Sequence, residues 1–135
     1  MKKTLEIMPN GKKIWRFSPD QPGVYPTWIF CHGLGSGDTI DRVLGTGLAK
    51  FLNNGGNIPY HVFATNDLNG WVTNAEMRPI KEYVKSQPGV DPNRLHLTGL
   101  SSGADAVLRE MNSGDDDFAS FVIISINSNA YVDDI

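Results

Sequence analysis

Apolar and polar positions alternate along Thr4–Met8 and again along Lys12–Phe17, with Pro9-Asn10-Gly11 between the two stretches. A period of two marks half-buried strands, and Asn-Gly supplies positive φ angles for a tight turn, so the pattern predicts an N-terminal β-hairpin at a sheet edge. Ser18–Pro26 then carries three prolines and a glycine and reads as a connecting loop. Thr27–Cys31 is a continuous apolar run that empties into His32-Gly33-Leu34-Gly35-Ser36-Gly37. That is the form of a strand buried on both faces, for which a parallel sheet is the natural host.

The period changes from Asp38 onward. Ile40, Val43, Leu44, Leu48, Phe51 and Leu52 fall at helical spacing, with Asp38 as N-cap and Gly55-Gly56 as the stop. His61–Thr65 is again strand-like and leads into a turn-rich stretch, Asn66 to Trp71. Thr73-Asn74-Ala75-Glu76 has capping-box spacing, and Ile80, Tyr83 and Val84 form the stripe of a second helix through Ser86. Pro79 conflicts with an unbroken helix from Thr73, so an irregular start is expected. Leu95–Thr98 reads as a short strand. A third helix is marked by Ala104, Val107, Leu108 and Met111, and a final strand by Phe118–Ile126 after Asp115-Asp116-Asp117. Three successive crossovers of this length predict a three-layer α/β/α arrangement, a mainly parallel sheet with the hairpin added at its N-terminal side. In such sheets ligands bind at the carboxyl ends of the strands, where this chain gathers its glycines.

Composition adds bounds. With 135 residues, 40% hydrophobic and 20% charged, the chain fits one globular domain, 1–135. A net charge of −3 offers no overall positive field for nucleic acid or an anionic membrane surface, so neither is expected as a partner. Residues 1–16 hold five bases against one acid and residues 101–135 seven acids against Arg109, which reads as solvated faces. The longest apolar stretch, Phe121–Ile126, is too short to span a bilayer, and no apolar run follows Met1-Lys2-Lys3-Thr4. The chain as given is therefore expected in the cytoplasm, or outside it if a signal peptide has been removed. A single cysteine, Cys31, excludes an internal disulfide framework.

The sharpest local signal is Gly99-Leu100-Ser101-Ser102-Gly103, a G-x-S-x-G match between a predicted strand and a predicted helix. A serine forced into a tight strand-to-helix turn exposes its hydroxyl, and the cramped backbone on either side admits only small residues, which Gly99 and Gly103 provide. The helix that follows aims its N-terminal amides and positive dipole end at the same place, making the Ser102 amide a donor to an oxyanion. The second donor expected by this chemistry is the Leu34 amide in His32-Gly33-Leu34-Gly35. His32 is expected to support that loop through a backbone hydrogen bond. The alternating glycines 33, 35 and 37 could instead cradle phosphate, but Asp38 breaks the G-x-G-x-x-G spacing and no Gly-Lys-Ser/Thr follows.

In these blocks the chain resembles the α/β-hydrolase superfamily, and within it esterases related to polyhydroxybutyrate depolymerases and to feruloyl and acetyl-xylan esterases. The resemblance is carried by Trp28–Gly33, by Asn53-Asn54-Gly55-Gly56 before Ile58-Pro59-Tyr60, by Gly70-Trp71, and by Val90–Gly103 with its Asp91-Pro92-Asn93-Arg94 lead. It covers roughly residues 25–126, and it implies a serine hydrolase of small carboxylic esters that needs no cofactor or metal. Ser101 would attack the carbonyl, the Leu34 and Ser102 amides would hold the oxyanion, and Trp71 would line the substrate pocket.

The family order of nucleophile, acid, then histidine is not completed. His32, His61 and His96 all precede Ser101, no histidine follows it, and Asp133 and Asp134 come a strand too early to be assigned as the acid. Two readings follow: the N-terminal part of a hydrolase lacking the C-terminal strands, with acid and base on a further segment or second chain, or a hydrolase-like binding or assembly protein without a triad. Retention of both glycines around Ser101 favours the first.

Overall fold

The computed structural model describes residues 1–33, 39–66, 74–114 and 117–124. The hairpin forms from β1 (Lys2–Ile7) and β2 (Lys13–Ser18), in antiparallel register from Lys2 opposite Ser18 to Ile7 opposite Lys13. Its turn differs from expectation, because only Gly11, at φ +85°, takes a positive dihedral. Asn10 keeps an ordinary one, and its Oδ1 accepts from the Lys12 amide at 3.0 Å. The connection is a three-residue loop closed by Gly11 N–H donating to Met8 C=O at 2.8 Å.

Four further strands complete one sheet: β3 (Tyr25–Cys31), β4 (His61–Ala64), β5 (Val90–Leu100) and β6 (Ser120–Ile124). The spatial order is β1-β2-β4-β3-β5-β6, with β4, β3, β5 and β6 parallel and the hairpin antiparallel at one side. β5 is longer than Leu95–Thr98 because Val90 also pairs, opposite Tyr25, while Asp91–Arg94 bulge out before Leu95 rejoins opposite Thr27. Within the bulge Asp91 accepts from the Asn93 amide at 2.9 Å and pairs with Arg94 at 2.7 Å.

The helix expected from Asp38 is two pieces. A 3-10 segment, Ile40–Gly45, is capped by Thr39 Oγ1, and α1 (Gly47–Asn53) follows after a break at Gly47, φ +53°. The break is steric: a Cβ on Gly47 would sit 2.6 Å from the Phe30 ring, so this backbone lies on the sheet more closely than a continuous helix allows. Phe51 consequently points outward, 53% exposed, although it shares the predicted stripe. Asp38 lies outside the described residues.

α2 (Asn74–Ser86) continues through Pro79 rather than starting irregularly, and Thr73 of the expected capping box lies outside the described residues. Buried Met77, Ile80, Lys81 and Val84 hold it down, which offsets the one backbone hydrogen bond Pro79 cannot make. α3 (Ser102–Asn112) buries Ala104, Ala106, Val107 and Leu108, whereas Met111 of the predicted stripe is exposed.

Side chains alternate between two cores, giving the three layers. Ile29, Cys31, Phe63, Leu95 and Leu97 meet α2 and α3 on one face, while Phe30, Val62 and Ala64 meet Val43, Ala49 and Leu52 on the other. A charged cluster ties α2 to α3 and to the start of the last strand. Lys81 Nζ lies 3.4 Å from both Glu110 and Asp117, and Lys85 Nζ lies 2.8 Å from Asp117. Lys85, then burial opposing it, sets the Asp117 carboxyl below its usual range.

Pro79→Ala restores the missing helical hydrogen bond and is expected to stabilise the fold by about 1 kcal/mol or more. A urea unfolding midpoint unchanged or lowered by this substitution would contradict the account of α2.

Candidate active site

β3 leaves the sheet toward α1 on one face, and its neighbour β5 leaves toward α3 on the other. Their carboxyl ends therefore flank a crevice at a topological switch point, the place where open parallel sheets bind ligands. His32 and Gly33 follow β3 at this crevice, and Ser101 follows β5.

Ser101 adopts φ 56°, ψ −114°, the one positive φ among the described non-glycine residues. A backbone held there costs roughly 1–3 kcal/mol and persists only where surrounding contacts over-determine it. Those contacts are backbone on backbone. A Cβ on Gly99 would lie 2.2 Å from Gly103 O, and a Cβ on Gly103 would lie 2.1 Å from Cys31 O and 2.7 Å from His32 O. The turn thus lets the start of α3 press against the ends of β5 and β3 with no side chain between them. From the far side the Ser101 amide donates to Ile124 O at 2.9 Å, while Ser101 O accepts from Ala104 and Asp105 amides at 2.9 and 3.3 Å.

Gly33 completes the crevice, since a Cβ there would meet Leu100 O at 3.3 Å and Ser101 Cβ at 3.5 Å. Beside it His32 is 1% exposed, with its Nδ1 donating to Gly33 O at 2.7 Å. Ser102, buried, is the first residue of α3, so its N–H has no acceptor within the helix. Leu34, Trp71, Asp133 and Asp134 lie outside the described residues. The Ile124 carbonyl as partner of the Ser101 amide is a feature no sequence signal announces, because it depends on the pairing of β6 with β5.

The other two histidines sit elsewhere. His61 opens β4, level with Thr27 and Leu95, so it lies about 20 Å from Ser101 at ~3.3 Å per strand residue. It lines a hollow of about 470 Å³ with Arg16, Tyr25 and Gly89 at the amino ends of the parallel strands, and its Nδ1 pairs with Ser18 Oγ at 3.0 Å. His96 lies five residues before Ser101 on β5, stacked on Trp28 at 4.7 Å with Nδ1 2.6 Å from Ser120 Oγ. Burial lowers the pKa of both, aided by the charge of Arg16 at His61 and of Arg94 at His96, while the Gly89 backbone opposes the shift at His61. One turn into α3, Asp105 keeps a buried Oδ1 without a hydrogen-bond partner, and burial raises its pKa against the opposing Arg109. Among the described residues no group of three or more histidine, cysteine or carboxylate side chains could hold a metal ion, and no helix is long and apolar enough to cross a membrane.

No family model and no curated protein matches the chain in sequence. Solved structures do match in fold. The S-formylglutathione hydrolase FrmB of Staphylococcus aureus superimposes with a TM-score of 0.68 at 17% identity, covering 98% of this chain and 61% of its own. The α/β hydrolase GrgF of Penicillium sp. sh18 gives 0.55 at 15%, covering 90% and 44%. The feruloyl esterase module of Clostridium thermocellum gives 0.56 at 17%, covering 89% and 51%. The six-stranded mixed sheet with its leading hairpin is the α/β-hydrolase fold, and the chain spans 44–61% of the length of these proteins.

Two outcomes test this geometry. Gly103→Ala should cost about 3 kcal/mol or more, because carbonyl groups rather than flexible side chains would have to move, whereas Gly45→Ala, with open space around it, should stay within about 0.5 kcal/mol. Chemical denaturation of the two variants measures the contrast. For the histidines, folded pKa values below the unfolded value of about 6.5 mean that the unfolded chain takes up protons first as pH falls. Stability present above that pH is lost as pH drops toward the folded pKa values. Urea midpoints should fall between about pH 7.5 and about pH 5.5, and His61→Gln and His96→Gln should each remove part of the fall.

Proposed function

We propose that this chain carries the nucleophile half of a serine hydrolase for small carboxylic esters, with Ser101 as nucleophile. The observation that carries the proposal is the positive φ of Ser101 between β5 and α3, with Gly33 against it at the sheet's switch point. This is the form of a nucleophile elbow: the turn holds the hydroxyl clear of the helix, while the free Ser102 amide and the end of the α3 dipole favour negative charge beside it. The proteins of like fold support the reading, since they include an S-formylglutathione hydrolase, a feruloyl esterase module held with sinapinate, and a fluorophosphonate-binding serine hydrolase of Staphylococcus aureus.

In the proposed reaction Ser101 Oγ adds to the ester carbonyl carbon as its proton passes to a base. The amides of Ser102 and Leu34 stabilise the oxyanion, and collapse of the tetrahedral intermediate expels the alcohol and leaves an acyl group on Ser101. Water then adds to the acyl carbonyl and releases the acid, restoring the hydroxyl. His32 supports the Leu34 loop through its bond to Gly33 O rather than serving as the base. The separation of His61 and His96 from Ser101 supports a base supplied by some other group than these two histidines.

Loss of a triad base costs about 10⁴ or more in turnover, so short-chain aryl ester hydrolysis by the isolated chain should lie close to the buffer background. An aryl fluorophosphonate should still form a slow adduct at Ser101, mapped by mass spectrometry, that accelerates as pH rises and disappears in Ser101→Ala. An adduct on another residue, or none at any pH, would defeat the nucleophile assignment. If Ser101→Ala were silent in every assay while the chain formed a stable assembly, the non-catalytic binding reading would take its place.

A further inference from the structure

β1 closes the side of the sheet away from β6, and among the described residues it pairs with β2 alone. The Met8 N–H donates to Lys12 C=O at 2.8 Å, which sets the direction of the backbone groups along the strand. In an antiparallel ladder that direction alternates, so Glu6, Thr4 and Lys2 also turn their amides and carbonyls to β2, while those of Lys3, Leu5 and Ile7 face outward. The apolar side chains at this edge are exposed, Leu5 to 44% and Ile7 to 65%. Natural edges are often guarded by lysine charges that repel a second strand. Here Lys3 is drawn back over its own sheet, with Nζ 2.9 Å from Asn53 Oδ1 and 5.2 Å from the centre of the Trp15 ring. Lys2 lies on the opposite face with Thr4 and Glu6, beside the hollow that holds His61, and among the described residues it makes no ion pair.

We infer that this edge joins two copies of the chain, β1 pairing with β1 antiparallel about a two-fold axis that passes through Thr4. Directly opposed residues of an antiparallel pair share a face, so the axis must pass through a residue, and charge decides which one. With the axis at Thr4, Lys2 of each copy stands opposite the second copy's Glu6, and the outward groups of Lys3 and Leu5 bond each other across the seam. An axis at Lys3 or at Glu6 sets like charges face to face. One at Leu5 makes the two Glu6 residues diagonal neighbours and leaves Lys2 without an acid. Glu6 has room for the lysine: Oε1 accepts from Tyr83 O–H at 2.6 Å, Oε2 lies 3.4 Å from Thr4 Oγ1 and 3.7 Å from Arg16, and a carboxylate offers about four acceptor sites. On the other face the same axis brings the two exposed Leu5 side chains together as diagonal neighbours. The strand has six residues, so the interface is small and the association weak, with a dissociation constant of about 100 μM or below. β5 lies four strands from β1, roughly 19 Å at about 4.8 Å per strand, so the dimer leaves the crevice at Ser101 uncovered and the inference stands apart from the chemistry there.

Sedimentation of the full 135-residue chain should show monomer and dimer in equilibrium and nothing larger. Lys2→Glu sets carboxylates opposite each other and should raise the dissociation constant about tenfold or more. Leu5→Pro should do the same while leaving the hairpin's own bonds intact, because the N–H it removes faces away from β2. Lys2 is exposed, so Lys2→Glu should keep the cooperative urea unfolding of the parent even if Leu5→Pro does not. Thr4→Cys places two thiols on the axis, where opposed Cα atoms lie about 4.5 Å apart, and should form a disulfide between copies under mild oxidation. Leu5→Cys places them diagonally, about 7 Å or more apart, and should not. The native Cys31 is buried and stays out of either crosslink. Ser101→Ala should leave the dissociation constant unchanged, which separates a failure of pairing from a failure of the nucleophile assignment. The inference is overturned by any of four results. These are a chain that stays monomeric up to about 1 mM, a dimer indifferent to Lys2→Glu, crosslinking of Leu5→Cys in preference to Thr4→Cys, or growth beyond two copies.

Discussion

Everything at the crevice depends on one close approach, that of the first turn of α3 to the ends of β5 and β3. Gly103 lies where any Cβ would strike the carbonyls of Cys31 and His32, and Gly99 lies where one would strike Gly103. With those two positions bare, helix and strands meet backbone to backbone, and the intervening Ser101 is driven to φ 56°. The strain at Ser101 is offset by hydrogen bonds on two sides, to the Ile124 carbonyl and from the first amides of α3. Its position is therefore a property of β3, β5, β6 and α3 together.

The rest of the molecule holds those elements in place unevenly. On one face α2 and α3 seal the sheet over Ile29, Phe63 and Leu97, and the Lys81, Glu110 and Asp117 charges lock the two helices to the chain that enters β6. A buried lysine with two acidic partners is tolerated where a lone one would not be, because each charge replaces lost hydration with an opposite charge. On the other face α1 covers the middle of the sheet and stops short of β6. The contact that fixes Ser101 from β6 thus comes from a strand whose Val122 and Ile124 stay exposed on the α1 face.

The division of polar groups along β5 bears on the chemistry. Within the strand His96 stacks on Trp28 and bonds Ser120, a histidine committed to packing and held toward the neutral form by burial. At its carboxyl end sit Ser101 and the first amide of α3, the groups assigned to the proposed reaction. Proton transfer requires donor and acceptor within one hydrogen bond, so about five strand residues of separation leave His96 out of reach of Ser101 regardless of its pKa. The proposed site is rich in what stabilises negative charge and poor in what removes a proton.

The order of strands and helices, the parallel sheet with its hairpin, and the small-residue turn around Ser101 are all legible in the sequence. Each is set by local physics: a period of two or 3.6, glycines where a backbone must bend or approach closely, and an apolar run where both faces are buried. Local pattern fails where a distant contact decides. A stripe from Ile40 to Leu52 reads as one helix, but the Phe30 ring beneath Gly47 breaks it and turns Phe51 outward. Pro79 reads as an interruption, but the core under Met77, Ile80 and Val84 carries the helix through it. By itself the sequence determined which serine occupies the tight strand-to-helix turn, because that depends on residues 99–103 and their small side chains. Only the tertiary structure decided that His61 and His96 lie away from Ser101 and that Val122 and Ile124 stay exposed on the α1 face, since strand register and the reach of α1 depend on residues far apart in the chain.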